Sequence, residues 1–155
     1  MGDTLAESFT TPIINIWESE LGETVDKKAS NPADVLYDAS AIIAVVGVTG
    51  KLSGDVLYGF TQETAMAIAS KMMGEPLEAL DEMALSAICE LANMITGNAA
   101  TLLAEAGMAC EITAPVMMDP TELAMCSSPG DDAFMTTFAS SLGELNIKVS
   151  LSEVA

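Results

Sequence analysis

Two pairs of short apolar segments, each pair separated by only a few turn-forming residues, constrain what this chain can fold into more than any other feature. Ser40–Val48, with AIIAVVGV at its centre, and Gly54–Phe60 flank Thr49–Ser53, while Ala133–Ala139 and Leu145–Leu151 flank Ser140–Gly143. Short runs rich in Ile, Val and aromatic residues predict strands. A tight connection permits only antiparallel pairing, because a parallel crossover needs about a dozen residues or more. In the last strand Leu145, Ile147, Val149 and Leu151 alternate with Asn146, Lys148 and Ser150. That period of two marks a strand with one face on a core and one toward water.

Helical patterns surround these hairpins. Leu5, Phe9, Ile13, Ile16 and Trp17 recur at helical spacing between Asp3 and Glu20, with Pro12 either kinking that helix or opening its main part. Thr61 is a cap for a helix running to Met73 and stopped by Gly74; Asp81 caps a longer one running to Ala106 and stopped by Gly107. Gly22–Ala39 is polar, contains Asn31-Pro32 and reads as a connection, with a short edge strand near Val35–Tyr37. Cys110–Met118 reads as a strand containing Pro115, and Asp119–Gly130 as a loop. With 155 residues, half of them hydrophobic, the chain has the size and composition of one folded domain spanning residues 1–155. The expected fold class is α+β, a mainly antiparallel sheet with its helices on one face.

Charge and missing residue types narrow the function. Against 23 acidic residues stand five bases, Lys27, Lys28, Lys51, Lys71 and Lys148, giving a formal net charge of −18. No basic stripe exists, so neither nucleic acid nor an anionic membrane surface is an expected partner. There is no His and no Arg. Ser-His-Asp and Cys-His relays, His-bearing zinc sites and a forked phosphate clamp are thereby excluded. Cys89, Cys110 and Cys126 are widely spaced and are expected to be buried free thiols in a reducing cytoplasm. The opening MGDTLAESFT lacks a basic stretch followed by an apolar run, so no secretory or membrane-spanning segment is expected. Asp119, Glu122, Asp131 and Asp132 lack the spacing of a calcium loop, and Gly47–Lys51 is a turn, not a nucleotide-binding loop. No metal site is expected.

The long helix carries the candidate site. On a helical wheel of ~100° per residue, Glu90, Asn93, Gly97 and Thr101 all fall within ~60° of Ser86. Ala84, Leu85, Ile88, Leu91, Ala92, Ile95, Ala99, Leu102 and Leu103 take the opposite, buried arc. Spacing alone does not separate a working face from an ordinary solvated one, since surface helices carry polar stripes as a rule. Gly97 is less ordinary. Glycine in a helix interior costs about 1 kcal/mol relative to alanine, and the close approach of a partner backbone would account for it.

Ser86-x-x-x-Glu90-x-x-Asn93, followed some twenty residues later by Pro115, resembles the signature of the CheC/CheX chemotaxis phosphatases. Phe9-Thr10-Thr11-Pro12-Ile13 is similar to that family's opening, and VTGKLSGDVLYGF from Val48 to Phe60 to its glycine-containing hairpin. The single ExxN copy resembles CheX more than the two-site CheC form. The resemblance implies a CheC-like α/β sandwich, a homodimer with its sheet continued across the interface, and a cytoplasmic phosphatase acting on the aspartyl phosphate of a CheY-like response regulator. The last hairpin would suit the edge at which two sheets join. Glu90 and Asn93 are then the catalytic pair, with Ser86 and Gly97 as partner-binding residues, although Ser86 could equally serve local hydrogen bonding. The chain would need no cofactor of its own, because the regulator supplies Mg²⁺ and a lysine. A non-catalytic module of the same fold, docking on a receiver domain or flagellar switch component, is the alternative this resemblance leaves open.

Overall fold

The computed structural model describes residues 2–32, 41–118 and 134–153. Helix α1 (Gly2–Leu21) leads to β1 (Val25–Pro32), then β2 (Ile42–Gly50), β3 (Leu52–Phe60), α2 (Gln62–Met73) and α3 (Glu82–Glu105). The short β4 (Cys110–Ile112) and β5 (Val116–Met118) follow, and β6 (Phe134–Ser140) and β7 (Gly143–Glu153) end the order. The seven strands of the described residues join one sheet in the order β1-β6-β7-β3-β2-β4, with β5 also on β2, and each of these pairings is antiparallel.

The alternation of side chains sends one sheet face to the core. Ala44, Val46 and Val48 of β2, Leu52, Val56, Tyr58 and Phe60 of β3, and Leu145, Ile147, Val149 and Leu151 of β7 pack there with all three helices. Helix α1 contributes Leu5, Phe9, Ile13, Ile16, Trp17 and Leu21, and runs unbroken through Pro12. Helix α2 begins where Thr61 Oγ1 accepts from the Thr64 N–H at 3.1 Å and ends at Gly74, left-handed at φ 74°. Strands β3 and β7 approach closely at Gly54, φ 148°, where a Cβ would overlap the Ser150 carbonyl of β7. Only glycine lets these two strands meet there.

Several sequence expectations change. Val25–Pro32 forms a full edge strand on β6, where a connection was expected; Asp26, Lys27, Lys28 and Pro32 are poor strand formers, and pairing with Phe134–Ser140 overrides that local preference. The last hairpin lies inside the sheet, because β1 covers β6 and β3 covers β7. It therefore offers no free edge. Cys110–Met118 is two short strands with Pro115 between them. Val35–Tyr37, Cys126 and the acids Asp119, Glu122, Asp131 and Asp132 lie outside the described residues. No helix among the described residues is long and apolar enough to cross a membrane.

The face of the sheet away from the helices is mixed. Asp55 of β3 is half-buried there, and burial raises its pKa above the ordinary value of 3.8, with attraction from Lys148 only partly opposing the rise. A folded-state pKa above the unfolded one means the native state holds this proton more tightly. Asp55 therefore lowers stability as pH climbs from the ordinary Asp value through the folded one, after which the penalty is constant, and in acid below both values it disappears. Asp55→Asn is expected to raise the melting temperature near neutral pH and to have no such effect below the ordinary Asp pKa. Thermal unfolding of both proteins across that range checks it, and a pH-independent difference would refute the assignment.

Candidate functional site on the long helix

Helix α3 starts where Asp81 Oδ1 accepts from the Ala84 N–H at 2.9 Å. Its buried residues are Ala84, Ile88, Leu91, Ala92, Ile95, Thr96, Ala99 and Leu103. The wheel placed all but Thr96 there, and it placed Leu85 and Leu102 too deep; both are half-buried, Leu85 at the candidate groove and Leu102 at the groove against α1. Thr96 is inward for a specific reason. Its hydroxyl donates to the Ala92 carbonyl at 2.7 Å, and its oxygen lies 2.6 Å from Tyr58 Oη inside the core. Since the Thr96 proton is committed to Ala92, Tyr58 is the donor of the second bond. Burial raises the Tyr58 pKa well above the ordinary range, with the bond to Thr96 opposing it, so the phenol stays protonated and able to donate.

This buried chain fixes the rotation of α3 on the sheet. With Ala92 and Thr96 turned inward, Ser86, Glu90 and Asn93 point outward, and all three are exposed. They line an open groove of about 510 Å³ together with Glu82, Leu85, Cys89, Ala114, Pro115 and Met117. Pro115 thus stands across from the ExxN residues. The rest of the stripe goes elsewhere. Gly97 is half-buried outside the groove lining, and a Cβ there would sit 4.0 Å from Ile112 Cδ1, an ordinary contact, so nothing among the described residues demands glycine. Thr101 donates to the Gly97 carbonyl at 3.2 Å and lines a separate groove against α1 with Thr11, Asn15 and Asn98.

The charged residues of the groove lining, Glu82 and Glu90, are both acidic. No group of three or more Cys, Asp or Glu able to hold a metal ion assembles among the described residues. Cys89 and Cys110 are free thiols, half-buried and not fully buried as expected, and burial raises the pKa of each, keeping them protonated. Cys89 lines the groove and belongs to the same wheel sector as Ser86, so periodicity could have found it. Ala114 and Met117 gave no sequence signal beyond their proximity to Pro115. What the groove offers chemically is two carboxylates, Glu82 and Glu90, with one carboxamide, one hydroxyl and the Cys89 thiol beside an apolar wall, and no cation.

The fold is shared with solved CheX and CheC-like chemotaxis proteins. A CheC-like superfamily protein from Shewanella superposes with a TM-score of 0.84 at 20% identity, covering 98% of this chain and 99% of that one. The CheX chain in a CheX-CheY-BeF3-Mg²⁺ complex from Borrelia burgdorferi superposes with a TM-score of 0.81 at 20% identity, covering 96% and 97%. In sequence, the CheY-P phosphatase CheX of Thermotoga maritima is 36% identical over 102 residues, which span 64% of this chain and 66% of that protein, just under two thirds of its length. The family model described as chemotaxis phosphatase CheX matches residues 42–139, which include α3 and both hairpin strands β2 and β3. This chain belongs to the chemotaxis phosphatase CheX family.

The buried hydroxyl chain makes an energetic prediction. Thr96→Val leaves the Tyr58 hydroxyl buried without its acceptor and is expected to cost about 1–3 kcal/mol, whereas Tyr58→Phe, which removes the donor, costs about 1 kcal/mol. Denaturant unfolding should show the double variant to be more stable than Thr96→Val alone, because the stranded group is then gone.

Proposed function

We propose that this chain is a phosphatase that hydrolyses the aspartyl phosphate of a CheY-like response regulator in chemotaxis signalling, with Asn93 holding the attacking water and Glu90 orienting the regulator. The observation that carries the reading is the placement of Glu90 and Asn93, both exposed, on one wall of an open groove on α3 with Pro115 on the other. Family membership and the 36%-identical CheY-P phosphatase support the same activity.

The chemistry follows from what the groove has and lacks. Phosphoryl transfer through a loose transition state needs an in-line nucleophile and neutralised phosphoryl oxygens more than it needs a strong base. A carboxamide is neutral, yet it donates and accepts hydrogen bonds and can hold one water in line with phosphorus. Asn93 takes that part. Attack of the water forms the new P–O bond, the bond to the aspartyl oxygen breaks, and the products are inorganic phosphate and the free aspartate. Positive charge is absent from the groove and comes from the regulator as Mg²⁺ and a lysine, in keeping with the beryllofluoride and Mg²⁺ present in the Borrelia complex. Glu90, one turn before Asn93, accepts a charge-assisted hydrogen bond from that lysine and sets the docking register. Ser86 extends the same wall toward the partner, and Gly97 leaves room for partner backbone beyond it.

On this reading the protein acts in the cytoplasm, where its regulator is, and as a homodimer. Among the described strands β1 and the β4/β5 side are the sheet edges. The β4/β5 side carries the groove wall, so β1 is the edge at which a second copy could extend the sheet and leave both grooves open.

Phosphate release from a phosphorylated CheY-like regulator with Mg²⁺ tests the assignment. Asn93→Ala is expected to slow turnover by about 100-fold or more while binding survives. Glu90→Ala is expected to weaken binding by about tenfold as well as turnover. Normal turnover by Asn93→Ala would overturn the role, and a wild-type chain that binds without shortening the phosphate's lifetime would make it a docking module.

A further inference from the structure

Between β4 and β5 the segment after α3 parts from β2, and that place faces the groove. β4 pairs Val48 with Ile112 and β5 pairs Val45 with Val116. Thr113, Ala114 and Pro115 therefore stand opposite Val46 and Gly47, one residue too many for a regular ladder. Bulges of this kind re-aim the chain next to functional sites. Here Ala114 and Pro115 are carried out to become the wall across from Ser86, Glu90 and Asn93.

The bonding at the point of departure explains how the bulge is held. The Thr113 N–H donates to the Gly47 carbonyl at 2.9 Å, as in a regular pair. The Gly47 N–H donates to Thr113 Oγ1, also at 2.9 Å, where an unbroken ladder would use the Thr113 carbonyl. The hydroxyl has taken the carbonyl's place, and the backbone is free to turn outward. Gly47 makes this possible by size. A Cβ at position 47 would lie 3.1 Å from Thr113 Oγ1 and 3.2 Å from Cγ2, so the threonine could no longer rest against the β2 backbone without shifting. Two residues later Pro115, which has no N–H, cannot donate back to β2 and keeps the strand parted.

We propose that Thr113 is a positioning residue, and that its clasp with Gly47 sets the distance between the Ala114–Pro115 wall and the Glu90–Asn93 face. The slot between them admits the phosphorylated active-site loops of the receiver domain. This role rests on the reading of that face as the docking site. It makes the clasp a determinant of partner fit with no chemistry of its own. Thr113 is exposed and its bond to Gly47 is at the surface, so the global fold does not depend on it.

The test uses the full chain and measures two quantities separately: affinity for a CheY-like receiver domain activated with beryllofluoride and Mg²⁺, and steady-state phosphate release. Thr113→Val keeps the shape and removes the acceptor. It is expected to weaken affinity and raise KM by about tenfold, with kcat within about twofold of wild type and Thr113→Ser restoring both. Gly47→Ala should shift KM in the same direction, and the melting temperatures should stay close to wild type. Wild-type affinity and KM in Thr113→Val, or a Ser variant as impaired as Val, would overturn the proposal. A wild-type chain that binds the activated receiver but releases no phosphate overturns the phosphatase reading alone, and the affinity of Thr113→Val still decides the clasp.

Discussion

Tyr58, Thr96 and the Ala92 carbonyl form a chain of two short hydrogen bonds in the middle of the apolar core, and the outward direction of the proposed site residues on α3 depends on it. The rest of the inward surface of α3 is Ala, Ile and Leu. Such a surface packs well in more than one rotation, because the hydrophobic effect is non-directional. A hydrogen bond is directional. Once Tyr58 of β3 donates to Thr96, the helix cannot roll without stranding a buried phenol, and the outward placement of Glu90 and Asn93 follows from helical geometry.

The second constraint is the parted edge strand. A regular β-strand after α3 would have lain flat along β2, and the helix would have faced water with no opposing wall. The extra residue at Thr113–Pro115 turns an edge into the far side of a groove. Helix and bulge together give a slot with hydrogen-bonding groups on one side and apolar contact on the other. On the proposed function that arrangement would place water and dock on a substrate carrying its own metal and cations, as a chain with neither His nor Arg requires.

Much of this was legible in the sequence where local chemistry and tertiary structure agree. Asp81, Thr61 and Gly74 mark helix ends because capping is a local interaction, and the period-two pattern of Leu145–Leu151 marks a half-buried strand because alternation is intrinsic to the pleat. The apolar arc of α3 was readable to within its margins, and its polar stripe, joined to Pro115, pointed to the family. What escaped depends on distant partners. Val25–Pro32 looks like a connection because its strand character comes from β6, supplied more than a hundred residues later. Thr96 sits in a sector whose only clue is a polar residue in an apolar arc, and its partner Tyr58 lies in another element. Thr113 carries no local mark at all, since its role arises from a register difference between two pairings with β2.

On the proposed function labour is divided: the chain orients, and its substrate brings the positive charge. A double-mutant cycle between Glu90→Ala and alanine at the regulator's active-site lysine, read as affinity for the beryllofluoride-activated regulator with Mg²⁺, tests it most directly. If Glu90 meets that lysine, the two changes are strongly coupled and the double variant is little weaker than the worse single one. Losses that simply add would contradict it, since Glu90 would then be meeting some other group.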